Sequence, residues 1–155
     1  MHAGVNEGAR AQDGHSHLYE RFMHRMVREG LTATVLPVRA ASPVAARMMG
    51  VFNYTVDAVY LDSAQEGGEL YLDMNLYWDL LAPGGLLMGD DYMWYWPGVI
   101  HDVDLFMKHA GLPTAALHFS SDWDYWRGDG VWALQKPAEP REYIPLDGDE
   151  PSATS

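Results

Sequence analysis

Apolar and polar positions along the chain follow two different spacings, one typical of helices and one typical of buried strands. Residues 18–29 and 69–81 carry apolar side chains three and four positions apart, which predicts amphipathic helices. Residues 56–61 and 86–89 are short and almost continuously apolar, which is typical of strands covered on both faces of a parallel sheet. The alternation of the two patterns predicts an α/β fold.

Proline, glycine and capping residues mark further boundaries. Residues 32–38 are rich in β-branched and apolar types, which predicts a strand. Ser42 precedes Pro43, and this pair predicts a short helix with Ser42 as its N-cap. The Pro-Gly-Gly run at 83–85 predicts the end of the helix over 69–81.

The C-terminal half predicts one more helix and two strands. Pro97 predicts the start of the helix, and Gly111 predicts its end. The apolar positions expected to face the core are Val99, Val103, Phe106 and Met107. Residues 115–119 and 131–135 predict two strands joined by a short loop, so we expect them to be antiparallel at one edge of the sheet.

The composition is typical of a single globular domain. The chain has 155 residues, of which 48% are hydrophobic, and it contains no cysteine, which excludes disulfides and thiolate metal sites. Residues 1–16 carry no periodicity and are expected to be a flexible leader. Residues 137–155 are rich in Pro, Glu, Asp and Ser and are expected to be a disordered acidic tail. The folded domain is therefore expected to span residues 17–136.

The net charge limits the classes of partner. At pH 7 the formal net charge is −12, and such a surface repels phosphate backbones and anionic lipid. No run of about 18 apolar residues occurs, so no membrane span is expected. We therefore expect neither nucleic acid nor a membrane as a partner, and we expect a cytoplasmic location.

Three aspartates follow the ends of two predicted strands. Asp62 comes directly after residues 56–61, and Asp90 and Asp91 come after residues 86–89. If these strands are parallel neighbours, their ends lie about 4.8 Å apart, and the three carboxylates repel one another unless a cation neutralises them. Hard oxygen ligands indicate Mg²⁺, Mn²⁺ or Ca²⁺. The alternative is that each aspartate only caps the loop that follows it.

Four motifs together resemble a known family. They are Asp-x-x-x-Leu-Asp at 57–62, Pro-Gly-Gly at 83–85, Gly-Asp-Asp-Tyr at 89–92 and the closing VWALQK at 131–136. Over roughly residues 18–136 the chain resembles the second half of class I S-adenosylmethionine-dependent methyltransferases of the small-molecule type. The resemblance implies a partial Rossmann-like methyltransferase fold, with a mostly parallel sheet, an antiparallel edge strand and flanking helices.

The resemblance also implies a reaction and a site. The implied reaction is methyl transfer from S-adenosylmethionine to an oxygen of a small-molecule substrate. The implied metal ligands, for Mg²⁺ or Mn²⁺, are Asp62, Asp90 and Asp91, with Asp62 as the catalytic residue. In metal-dependent members the ion holds the substrate oxygens and favours the ionised nucleophile. Asp91 replaces an asparagine of the catechol-type enzymes, and Gln65 replaces a histidine found in many relatives.

Two aromatic clusters lie in loops that would wall the substrate pocket of that fold. The first cluster comprises Trp94, Tyr95 and Trp96, and the second comprises Trp123, Tyr125 and Trp126. They either stack on a flat substrate or cover the edge of the sheet.

The glycine-rich turn that holds the cofactor in this family has no counterpart before Leu18. The cofactor-binding residues are therefore unknown from the sequence, and the chain is expected to be a truncated form of the family domain. The alternative function is an inactive remnant or partial gene product that acts as a binding or interaction module. The strand over 56–61 would then have an unpaired edge, through which the chain is expected to self-associate.

Overall fold

The computed structural model divides the chain into two compact units, with the boundary between Arg39 and Ala40. The residues that it describes are 17–63, 65–119 and 130–138. The leader predicted over 1–16 and almost all of the acidic tail predicted over 137–155 lie outside these residues. No helix within them is long and apolar enough to cross a membrane.

The described part of the first unit contains one helix, α1, which spans Leu18–Arg28 and confirms the helix predicted there. The strand predicted over 32–38 is wrong. In its place the Leu31 carbonyl accepts hydrogen bonds from the Thr34 and Val35 amides at 2.9 and 2.8 Å, which closes a turn. β-Branched residues favour a strand only where a neighbouring strand packs and pairs with them, and no described strand pairs with this segment.

The described part of the second unit contains three α-helices and a four-stranded sheet. The helices are α2 (Ser42–Val51), α3 (Glu69–Leu80) and α4 (Pro97–His109). The strands are β1 (Val56–Leu61), β2 (Leu81–Gly89), β3 (Leu117–Phe119) and β4 (Trp132–Gln135). A turn of 3-10 helix, Thr114–Ala116, precedes β3. The α/β class predicted from the sequence is confirmed.

The sheet is mixed, with the order β1-β2-β4-β3. β1 and β2 lie side by side and parallel, as predicted. β4 is antiparallel to both β2 and β3, so the expectation of a mostly parallel sheet is wrong. The predicted antiparallel pairing of the last two strands is present, but β4 lies inside the sheet and β3 forms the edge. β4 contributes two antiparallel pairings because it lies between two strands.

The Pro-Gly-Gly run at 83–85 lies inside β2 and does not itself end α3. The helix ends at Leu80, and Leu81 already has extended backbone angles. The register against β1 shifts here, because Val56 pairs with Leu81 whereas Ala58 pairs with Leu86. The extra β2 residues make the strand pairing irregular here, and glycine tolerates such backbone without steric cost.

The hydrophobic core lies on one face of the sheet. Its buried side chains come from α3, α4 and the sheet positions facing them, and include Met74, Val103, Phe106, Leu87, Leu134 and Trp132. Adjacent β2 residues differ sharply in exposure, since Leu87 is fully buried and Leu86 is 39% exposed. Tyr60, on the same face as Leu86, is 52% exposed. The expectation that both faces are covered is therefore not met within the described residues.

Charged side chains from elsewhere in the fold hold both ends of α3. At its N-terminus the buried Asp102 carboxylate of α4 accepts hydrogen bonds from the Gly68 amide at 2.7 Å and the Tyr71 amide at 3.1 Å. At its C-terminus the Lys136 ammonium donates to the carbonyls of Trp78 and Leu81 at 2.7 and 2.8 Å. Both charges have the sign that the helix dipole favours. These contacts fix α3 against α4 and the end of β4.

The N-cap predicted at Ser42 is wrong, because α2 begins one residue earlier than expected, with Ala41 as its N-cap. The Ser42 hydroxyl instead donates to the Tyr77 hydroxyl at 3.4 Å. Tyr77 in turn donates to the Ser42 carbonyl at 3.1 Å. A tertiary contact with α3 has replaced the local cap.

Replacing Asp102 with alanine is expected to destabilise the fold by about 2–3 kcal/mol, because it removes the N-terminal cap of α3 and deprives the Gly68 and Tyr71 amides of this acceptor. Urea unfolding measures the change. Asp79→Ala, at an exposed position of α3, is the matched control and is expected to unfold like the wild type. Equal midpoints for Asp102→Ala and Asp79→Ala would contradict this role.

Candidate metal centre

The site lies where the parallel strands β1 and β2 end together. Leu61 pairs with Gly89 across the two strands, so Asp62 and Asp90 leave the sheet at the same level. Oxygen atoms of the Asp62, Asp90 and Asp91 carboxylates all lie within 4.8 Å of one another. The convergence expected from the two strand ends is therefore present.

Gly89 permits the close packing behind this edge. A Cβ atom at this position would come within 2.7 Å of both the Leu61 carbonyl oxygen and the Trp132 ring. The Trp132 indole Nε1 donates to the Asp90 carbonyl at 3.2 Å. Trp132 is itself fully buried, so the backbone that carries Asp90 is fixed against the core.

Asp91 has left-handed backbone angles, with φ 60°. Aspartate tolerates this conformation better than most residues. The turn is held by hydrogen bonds from the Tyr92 amide to the Gly130 carbonyl at 2.9 Å and from the Met93 amide to the Asp91 carbonyl at 2.8 Å. The bend redirects the chain directly after Asp90, so two consecutive aspartates contribute to one cluster.

Gln65 is a site residue whose role the sequence did not reveal. Its amide Nε2 donates to the Asp91 carboxylate. The first turn of α4 lies against the loop that carries Gln65, since a Cβ atom at Gly98 would come 2.6 Å from the Gln65 carbonyl oxygen. Gln65 occupies the position at which the resemblance leads one to expect histidine, and here it orients a carboxylate.

The electrostatics of the cluster disfavour three free carboxylates. Burial raises the pKa of Asp90 above its usual range, and the negative charges of Asp62 and Asp91 raise it further. A hydrogen bond from the Asp90 backbone lowers it and opposes part of this effect. A cation among the three carboxylates would relieve this repulsion.

A fourth carboxylate adjoins the site from α3. The hydroxyl of Ser63, the residue after Asp62, donates to Asp73 at 2.8 Å. The sequence does offer a signal for Asp73, since it lies beside Met74 on the apolar stripe of a predicted helix. A charged residue in such a stripe marks a buried polar contact.

The first aromatic cluster follows the acidic residues in the chain and contains two exposed rings and one that packs against the core. Trp94 is 72% exposed and Tyr95 is 54% exposed, and their rings form an edge-to-face pair with centroids 5.3 Å apart. Trp96 instead packs against the core. The second aromatic cluster lies outside the described residues. Both interpretations of the first cluster, stacking on a substrate and covering of the sheet edge, therefore stay predictions.

The comparisons with known proteins do not assign the chain to a family. Neither a scan against models of protein families nor a search of curated proteins finds a match to this chain. The functional interpretation therefore depends on the motifs and on the geometry of the site.

In the absence of divalent metal, Asp90→Asn is expected to raise the melting temperature at pH 7. A carboxyl whose pKa is higher in the folded state stabilises the fold when protonated, and that contribution is lost as the pH rises through the raised pKa. The increase in melting temperature over the wild type should therefore shrink as the pH falls towards about 4, the ordinary pKa range of aspartate.

Thermal unfolding in EDTA across this pH range measures the effect. Asp79→Asn removes the same charge at an exposed position of α3 and serves as the control. A lower melting temperature for Asp90→Asn than for this control at pH 7 would show that the Asp62 and Asp91 carboxylates do not destabilise the fold by repelling Asp90.

Proposed function

We propose that the chain is an S-adenosylmethionine-dependent methyltransferase-like domain that methylates an oxygen of a small molecule with the help of a divalent metal. The observation that carries the proposal is the convergence of Asp62, Asp90 and Asp91 at the ends of two adjacent parallel strands. Ligands of open α/β sheets bind at this end of parallel strands. The methyltransferase-like motifs at 57–62 and 89–92 contain these same three aspartates.

The donor set suits Mg²⁺ or Mn²⁺. All three ligands are carboxylate oxygens, which hard divalent ions prefer. Oxygens bound to one Mg²⁺ at about 2.1 Å lie at most about 4.2 Å apart, and the three here lie within 4.8 Å. Small side-chain rotations would therefore bring them to bonding distance.

Each aspartate would have a distinct role. The backbone of Asp90 is fixed by Trp132 and the carboxylate of Asp91 is held by Gln65, so these two would form the rigid side of the site. Asp62 is the most exposed of the three and would face the substrate, as the catalytic residue. A bound ion would supply Lewis-acid activation of the substrate hydroxyl.

Methyl transfer depends mainly on the alignment of substrate and methyl donor, and less on additional catalytic groups. A bound S-adenosylmethionine would supply the methyl group and leave as the thioether, and the proton lost by the substrate hydroxyl would pass to solvent water. Trp94 and Tyr95 are exposed near the acidic residues in sequence, which supports a flat substrate. The residues that would hold the S-adenosylmethionine are not assigned.

A second candidate is an interaction module that self-associates. Among the described strands β1 pairs with β2 alone, so one side of its backbone has no described strand as a partner. Ala58 and Tyr60 are exposed along it, beside Leu86 of β2. An open edge with apolar side chains favours pairing with a second copy.

The metal proposal predicts that the wild-type chain binds Mn²⁺ and that Asp62→Asn combined with Asp90→Asn weakens the affinity by at least about tenfold, since even partners outside the ligand set contribute that much. Titration followed by electron paramagnetic resonance measures free Mn²⁺. Asp57→Asn, on the exposed part of β1, is the control and should bind like the wild type. No Mn²⁺ binding by the wild type would refute the proposed site.

The methyltransferase proposal is tested by adding S-adenosylmethionine with Mg²⁺ in a thermal unfolding experiment. A specific ligand at a hundredfold excess over its dissociation constant stabilises the fold by about 2.7 kcal/mol. Metal binding without any stabilisation by S-adenosylmethionine would favour the interaction module over the enzyme.

The interaction module predicts concentration-dependent dimers in size-exclusion chromatography with light scattering. Ala58→Lys is expected to shift the chain to monomer, because a charged side chain on an edge strand opposes pairing. Leu72→Lys, at an exposed position of α3, adds the same charge away from the edge and should leave the dimer intact. A monomeric wild type at all concentrations would contradict self-association.

A further inference from the structure

Asp73 is a buried carboxylate with too few hydrogen bonds. It lies on α3 with only 3% of its surface exposed. One oxygen accepts from Ser63 at 2.8 Å, and the other, Oδ1, has no hydrogen-bond partner among the described residues. Burial of a carboxylate with an unsatisfied oxygen is costly, and no other described contact offsets it.

The single contact of Asp73 leads directly to the acidic cluster. Ser63 follows Asp62 in the chain, and Asp62, like Asp90, has no side-chain hydrogen bond to any other described residue. Asp91 is held by Gln65, and the backbone of Asp90 is held by Trp132. The direction of the Asp62 side chain therefore depends on its backbone, and that backbone is anchored one residue later through Ser63.

From this geometry we propose that Asp73 is a positioning residue, which orients Asp62 for divalent-cation binding through the Ser63 hydroxyl. The inference rests on the proposed metal site. Partners outside the ligand set commonly act in this way, because they fix the orientation of the residues that bind the ion. α3 is a rigid support for such a contact, since Asp102 and Lys136 hold its two ends.

The positioning role makes an unusual combination of predictions for Asp73→Ala. The substitution removes an unsatisfied buried oxygen and introduces a good helix former, so the melting temperature is expected to stay equal or rise. The Mn²⁺ affinity is expected to fall about tenfold, the size typical of such partners. A purely structural role would instead lower the melting temperature and leave the affinity of the folded protein unchanged.

Three further variants separate the hydrogen bond from the charge. Ser63→Ala removes the donor at an exposed position and should weaken Mn²⁺ binding about as much as Asp73→Ala. Combining the two should weaken it no further, because both break one contact. Asp73→Asn keeps an oxygen for Ser63 and should retain most of the affinity. Asp79→Asn, exposed on the same helix, should bind like the wild type.

Each outcome of the Mn²⁺ titration either supports or overturns the positioning role of Asp73. If Asp73→Asn binds as weakly as Asp73→Ala, the charge and not the hydrogen bond matters, and the positioning role is wrong. Wild-type affinity in both Ser63→Ala and Asp73→Ala also overturns it, and leaves the metal site itself intact. If the wild type binds no Mn²⁺, the metal site and the positioning role fail together.

Discussion

The alignment of β1 with β2 is the constraint on which the rest of the site depends. Leu61 lies opposite Gly89, and the absence of a side chain at Gly89 allows the Leu61 carbonyl and Trp132 to pack closely against it. Because the two strands are parallel and end level, Asp62 and Asp90 must emerge together. A slip of one residue in this register would separate the carboxylates by a full strand step, about 3.3 Å.

The helices contribute through a few buried charges placed on otherwise apolar faces. Asp102 on α4 and Lys136 after β4 hold the two ends of α3, so the helix that packs behind the site cannot rotate without breaking charge-assisted hydrogen bonds. Asp73 then reaches the residue after Asp62 from this fixed support. The same packing that stabilises the sheet therefore also holds the Ser63 side chain, next to Asp62.

Within the described part of the second unit, helices cover one face of the sheet and not the other, and this asymmetry connects the two candidate functions. The face that carries Leu87, Leu134 and Trp132 is buried under α3 and α4. The opposite face exposes Tyr60 and Leu86, and β1 is an edge strand. An apolar face and an open edge are features of a surface that another polypeptide can cover. The acidic cluster lies at the strand ends, so a partner on this face need not exclude a ligand at the cluster.

The sequence by itself determined most of the elements and the acidic cluster. Continuous apolar runs identified β1 and the end of β2, helical spacing identified α1, α3 and α4, and aspartates after two such strands predicted the convergence. These predictions succeeded because periodicity and strand ends are local properties of the chain. The tertiary structure alone decided whether each segment found a partner. Residues 32–38 have strand-forming side chains but pair with no described strand. Ser42 packs against Tyr77 in place of capping its helix, and β4 lies between β2 and β3. Strand pairing, tertiary caps and the Ser63–Asp73 contact join residues distant in sequence, and only the packed fold brings these residues together.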